Sequence, residues 1–143
     1  AVAEAMNSVI QWDQKTATAK IIKPTINMIF AGDITQESGG HITIKDAGSY
    51  FNTVGADRWE NLYVEIGPME NKTYNYRVIV YDPKSNVVGT SAVQTETIGN
   101  DGLIAFVPVE KMTYNYPGNY KFKFQIKYDG TFQTVGETVA VVE

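Results

Sequence analysis

The chain has 143 residues, close to the size of one ordinary domain, and no cysteine, which excludes disulfide frameworks, thiolate metal centres and thiol catalysis. Lys and Arg number 12 against 16 Asp and Glu, a formal charge of −4, so no general affinity for nucleic acid is expected. No apolar run reaches the roughly 18–20 residues that cross a bilayer as a helix, and neither the basic region nor the apolar stretch of a signal peptide stands at the N-terminus, so no membrane insertion is expected.

Taken in chain order, the first segment is alanine-rich, with Val2, Met6, Val9 and Ile10 at a spacing that fits either a short amphipathic helix or an arm ordered by a neighbour. No turn residue folds it back cleanly, which favours an arm over residues 1–19 ahead of a β-sandwich over 20–143. Its apolar side chains (Val2, Met6, Val9, Ile10 and Trp12) are then expected on a partner, since exposing them all invites aggregation. Beyond the arm, Val and Ile dominate the apolar set and Leu occurs only at Leu62 and Leu103, a composition suited to pleated sheets rather than helices.

Strands are expected at 25–30, 41–45, 62–66, 74–81, 103–109, 120–128 and 137–142, with an irregular stretch at 46–61. The clearest is 120–128. There Tyr120, Phe122, Phe124, Ile126 and Tyr128 alternate with Lys121, Lys123, Gln125 and Lys127, one dry face and one wet. Asp129-Gly130 behind it marks a hairpin, and 82–86 and 99–102 are further turns. The expected core is Ile26, Met28, Phe30, Leu62, Val64, Ile66, Tyr76, Val78, Val80, Leu103, Ala105, Val107, Phe122, Phe124 and Ile126. Strand density and turn spacing give an all-β fold, an antiparallel β-sandwich of roughly 7–9 strands with an N-terminal arm or short helix.

Thr-Tyr-Asn-Tyr occurs twice, at 73–76 and 113–116, and Tyr81-Asp82 and Tyr128-Asp129 are each followed by Val-Gly. Either one hairpin is used twice, or alternating strands with Asp-containing turns simply look alike.

Chemistry is sparse. His41 is the only histidine, so no imidazole cluster can hold zinc, and no Gly-x-Ser-x-Gly elbow, calcium loop or phosphate loop is present. Neither a catalytic set nor a cofactor or metal is expected. Asp57, Glu60 and Glu65 come nearest to an acidic cluster, but Glu65 alternates with Leu62, Val64 and Ile66 and so reads as solvent-facing. The stripe Lys121, Lys123 and Lys127 reads as a solvated strand face, with the aromatic side chains of that strand on the opposite side. Tyr50, Phe51 and Trp59 lie in the irregular stretch and could display rings to a glycan.

Residues 74–143 carry a longer pattern: a strand closing on Tyr81-Asp82-Pro83, then Gly102-Leu103-Ile104-Ala105-Phe106-Val107-Pro108, then Gly118-Asn119-Tyr120-Lys121-Phe122, and after the Asp129-Gly130 turn Thr138-Val139-Ala140-Val141-Val142. This half of the chain resembles immunoglobulin-like domains of tailed-bacteriophage virion proteins, the N-terminal domain of upper baseplate proteins and the base of head fibres. The resemblance implies an immunoglobulin-like sandwich and a non-enzymatic structural role in a virion, as capsid decoration or fibre base. It also implies a homo-oligomer contacting a capsid or other virion protein. The N-terminal half, with its leader and the stretch at 46–61, departs from that pattern. The alternative is a secreted or cell-surface carbohydrate-binding or adhesin sandwich that meets a host-surface glycan through Tyr50, Phe51 and Trp59.

Overall fold

The computed structural model describes residues 7–45 and 51–143. Among them are thirteen strands and no helix: β1 (Val9–Asp13), β2 (Thr18–Ile22), β3 (Ile26–Ala31), β4 (Asp33–Gln36), β5 (Ile42–Lys45), β6 (Phe51–Asn52), β7 (Asp57–Ile66), β8 (Lys72–Tyr81), β9 (Val87–Thr90), β10 (Gln94–Ile98), β11 (Leu103–Thr113), β12 (Gly118–Tyr128) and β13 (Thr131–Val142).

Nine of these form two sheets. One runs β10-β8-β12-β13-β6 with β9 also on β8; the other runs β11-β7-β3. Every pairing in them is antiparallel except β6 with β13. The chain changes sheet from β7 to β8, from β10 to β11 and from β11 to β12, the Greek-key connectivity of an immunoglobulin-like sandwich. The expected all-β sandwich is what forms.

Alternation decides which side chains meet between the sheets. On β12 the five aromatic and aliphatic residues from Tyr120 to Tyr128 are all buried, and Lys121 and Lys127 are exposed. Across the gap Phe30 meets Phe122 edge-on at 4.9 Å, while Tyr76 lies 5.6 Å from Phe124 within its own sheet. Every expected core residue is buried except Ile26, Met28 and Leu103, which are partly buried against the core. One edge of the sandwich is closed by the chain between β9 and β10. Ser91 bridges to Val109 of β11 and bonds Val78 of β8, and Gln94 accepts from the Tyr76 hydroxyl while donating to the Phe106 carbonyl.

The turns carry the chemistry their sequences suggest. Asp129 and Gly130 both have positive φ, 48° and 78°, the primed turn that matches strand twist. Asp82 accepts backbone N–H bonds from Lys84 and Asn86 and so closes its own loop. Near the start of β12, the Tyr120 hydroxyl accepts the N–H of Tyr116 at 3.0 Å, the tyrosine corner found in immunoglobulin-like domains.

The internal echo divides in two. The hairpins β8–β9 and β12–β13 are alike, each with a register shift and each with its Val-Gly glycine against the opposite sheet. A Cβ on Gly89 would lie 3.0 Å from Met112 Sδ, and one on Gly136 would lie 2.6 Å from Ile26 Cγ2. The two Thr-Tyr-Asn-Tyr copies are not equivalent, since Tyr74 and Tyr76 are both buried on β8 whereas Tyr114 is buried and Tyr116 exposed past the end of β11.

Two expectations change. Residues 9–22 form neither arm nor helix but a hairpin, β1–β2, with Ile10 opposite Ile21 and Trp12 opposite Ala19. The Asp13 carboxylate makes the turn by accepting the N–H of Lys15 and Thr16, and Ala17 takes φ 50°. The expected boundary between residues 19 and 20 therefore falls inside β2. Likewise, part of the stretch 46–61 is regular, because β7 starts at Asp57 and Phe51–Asn52 joins β13.

Candidate functional surfaces

The outer face of the three-stranded sheet carries apolar and aromatic side chains among polar ones. β7 turns Glu60, Leu62, Val64 and Ile66 inward, which leaves Trp59, Asn61, Tyr63 and Glu65 outward. Register then places Ile29 of β3 and Phe106 of β11 on either side of Tyr63, with the Tyr63 and Phe106 rings 5.9 Å apart. Ile104 and Pro108 extend the β11 row, and Trp59, 62% exposed, stands near the start of β7. One row across three strands is therefore Ile29, Tyr63 and Phe106, with Ile104, Pro108 and Trp59 around it. The Tyr63 hydroxyl donates to Glu65 at 2.8 Å; desolvation and that carboxylate raise its pKa.

A second apolar surface lies on the hairpin. Ile10, Trp12 and Ile21 share one of its faces and are 42%, 54% and 62% exposed. Val9, which the sequence reading assigns to a partner surface, is fully buried in the domain's own core, and its neighbour Ile10 donates its N–H to Gln133 of β13. Val2 and Met6 lie outside the described residues.

Of the residues considered for a glycan, the two that are described stand on strands of different sheets. Trp59 belongs to β7 in the three-stranded sheet and Phe51 to β6 in the other; Tyr50 lies outside the described residues.

The acidic residues separate as well. Asp57 is at the open start of β7, where the Thr113 hydroxyl, then Lys111 at 3.3 Å, hold its pKa down. Glu65 is on the exposed outer face, eight residues further along the same strand, roughly 26 Å away. Glu60 points inward. It is 2% exposed, accepts the Tyr114 hydroxyl at 2.9 Å and the Asn52 amide at 3.5 Å, and its pKa is raised because burial outweighs those bonds. The three carboxylates share no cleft. The buried cluster Asn52, Glu60, Tyr114 was not legible beforehand, since it joins β6, β7 and the end of β11 from distant parts of the chain. Among the described residues no group of three His, Asp or Glu side chains is placed to hold a metal, and His41 is exposed.

No family model and no curated protein matches the chain. Among solved structures it is similar to a family 123 glycoside hydrolase from Clostridium perfringens, studied for glycolipid glycan hydrolysis, at 8% identity and a TM-score of 0.28. The overlap takes in 66% of this chain and 22% of that one. A likeness of that size identifies neither a family nor an activity.

Proposed function

We propose that the chain is a non-enzymatic structural protein of a bacteriophage particle that works through protein–protein contacts, the first of them with a second copy of itself. The observation that carries this reading is the outer face of β3, β7 and β11, where Ile29, Tyr63, Phe106, Ile104 and Trp59 lie together on one surface. Sheet faces of this kind pack on one another in aligned pairs, and a two-fold contact between copies covers the same patch on both.

The size of the face argues for an assembly over a free dimer. Three strands about 4.8 Å apart and some eight residues tall give on the order of 350–400 Å² of flat area per copy. A pair then buries well under the roughly 1,200 Å² of a stable standard interface, so one contact alone is weak. Repetition around a ring or lattice makes such contacts sufficient. The Ile10, Trp12 and Ile21 face of the hairpin is a separate surface for a capsid or other virion protein. The resemblance of residues 74–143 to virion immunoglobulin-like domains supports the setting.

Two experiments test the reading. Sedimentation should show reversible, concentration-dependent association. Antibodies raised against the chain should label intact phage particles from its source, and unlabelled particles would contradict the virion location.

A further inference from the structure

Asn52, whose amide lies against the buried Glu60 carboxyl, belongs to a lightly held run of chain. β6 has two residues and pairs only with Val141 and Val142. Behind it Thr53, Val54 and Gly55 are exposed and form no strand. The run is held at its ends by backbone bonds of 2.8–3.1 Å. Glu143 donates its N–H to the Asn52 carbonyl, Val54 to that of Glu143, Gly55 to that of Tyr114, and Tyr114 to that of Ala56. Short pairing and exposed backbone are the marks of a segment that opens locally.

Hydrogen bonds decide which form of Glu60 suits the closed segment. The Tyr114 hydroxyl at 2.9 Å and the Asn52 amide at 3.5 Å both donate to Oε1. Asn52 Oδ1, on that same amide, is buried without a donor. An ionised carboxylate only accepts, so it leaves Oδ1 unsatisfied; a neutral one carries an O–H on Oε2 that supplies the missing donor. Acid and amide then bond in both directions. The other groups around Glu60 do not reverse this preference. Arg58, on its own strand, favours the ionised form, but less than burial favours the neutral one. Tyr114 stands edge-on to Tyr120 of β12, Asp57 and Lys111 pair with each other at the open end of β7, and Glu143 past β13 is exposed. β3 has no titratable residue.

We propose that residues 51–56 are a latch controlled by the proton on Glu60. Bridged through Asn52 to the neutral carboxyl, they stay shut on the sandwich; when Glu60 ionises, water enters and they come away. Release uncovers the edge of β13 at Val141 and Val142, where another strand can pair. The sign follows from the native pKa lying above 4.5. The latch is most secure below that value. Opening then grows by up to about tenfold per pH unit until the raised native value is reached, and levels off above it.

The test is amide hydrogen exchange of the whole chain by nuclear magnetic resonance, from about pH 4 to about pH 8, corrected for the intrinsic pH dependence of exchange. The reporters are the N–H groups of Val54, Gly55 and Glu143, with those of Phe122 and Phe124 of β12 for reference. In wild type the reporters should be less protected than β12 throughout, and their protection should fall about tenfold or more over the range. Glu60→Gln, whose amide donates but cannot ionise, should keep its protection. In wild type the Glu60 Cδ resonance should titrate above 4.5. Level protection in wild type, a fall that persists in Glu60→Gln, or titration of Cδ at or below 4.5 would overturn the proposal. So would reporters that exchange in step with β12, since the whole domain rather than a latch would then be opening.

Discussion

Glu60 shows how one side chain ties packing to pH. Its native pKa is raised above the ordinary value of 4.5 chiefly by burial, so the folded chain holds that proton more tightly than the unfolded one. Its contribution to stability is greatest below about 4.5 and is lost as pH rises through the raised native value. Asn52 Oδ1, beside it, is buried without a hydrogen-bond partner. Glu60→Gln removes the titration, keeps an acceptor for Tyr114 and offers a donor toward Asn52. We predict a higher urea midpoint than wild type at pH 7 and near-equality at pH 4, read from unfolding curves at both. A lower midpoint at pH 7 would show that the charge is needed. The alternation along β12 makes a second residue-scale prediction. Phe124 is fully buried, so Phe124→Ala should cost about 3–5 kcal/mol in chemical unfolding, whereas Lys123→Ala should stay within about 0.5 kcal/mol. Equal effects would mean that β12 faces the other way.

The hairpin β1–β2 is the element the sequence hid. Its turn holds no Gly, Pro or Asn; an Asp13 side chain and a left-handed Ala17 do the work, and neither stands out in an alanine- and threonine-rich segment. By contrast 120–128 was legible because five large apolar residues alternate without a break, and Asp129-Gly130 names its own turn type. The lysine face was half legible. Alternation gives the faces of one strand, but Tyr81 and Phe132 reach that face only through register with β8 and β13, which no local pattern encodes. The candidate apolar face was missed for the same reason: Ile29, Tyr63 and Phe106 are far apart in sequence and adjacent only in the sheet. The hairpin also reverses an expectation. An arm could be removed without effect on the domain, but Val9 is part of the core. Deleting residues 1–17 should therefore lower the melting midpoint by several degrees, since full burial of a valine contributes about 1.5–3 kcal/mol and each kcal/mol shifts a domain of this size by roughly 2–8 °C. An unchanged midpoint in calorimetry would return the segment to the status of an arm.

At the scale of the whole molecule, the two sheets bury one core between them and turn unlike faces outward. One carries Ile29, Tyr63, Phe106 and Ile104, the face proposed to meet another copy; the other is cationic, with Arg77 beside Phe132 and Lys123 over Tyr81. Sedimentation velocity from about 10 µM to about 1 mM, a range set by the weak single contact expected of so small a face, tests the apolar face most directly. Wild type should sediment faster as concentration rises. Ile29→Glu/Ile104→Glu, which puts two charges on outward positions next to Tyr63 and Glu65, should remain a monomer throughout with its fold intact by circular dichroism. A wild type whose sedimentation does not change with concentration, or a variant that associates as wild type does, would contradict a structural role carried by this face.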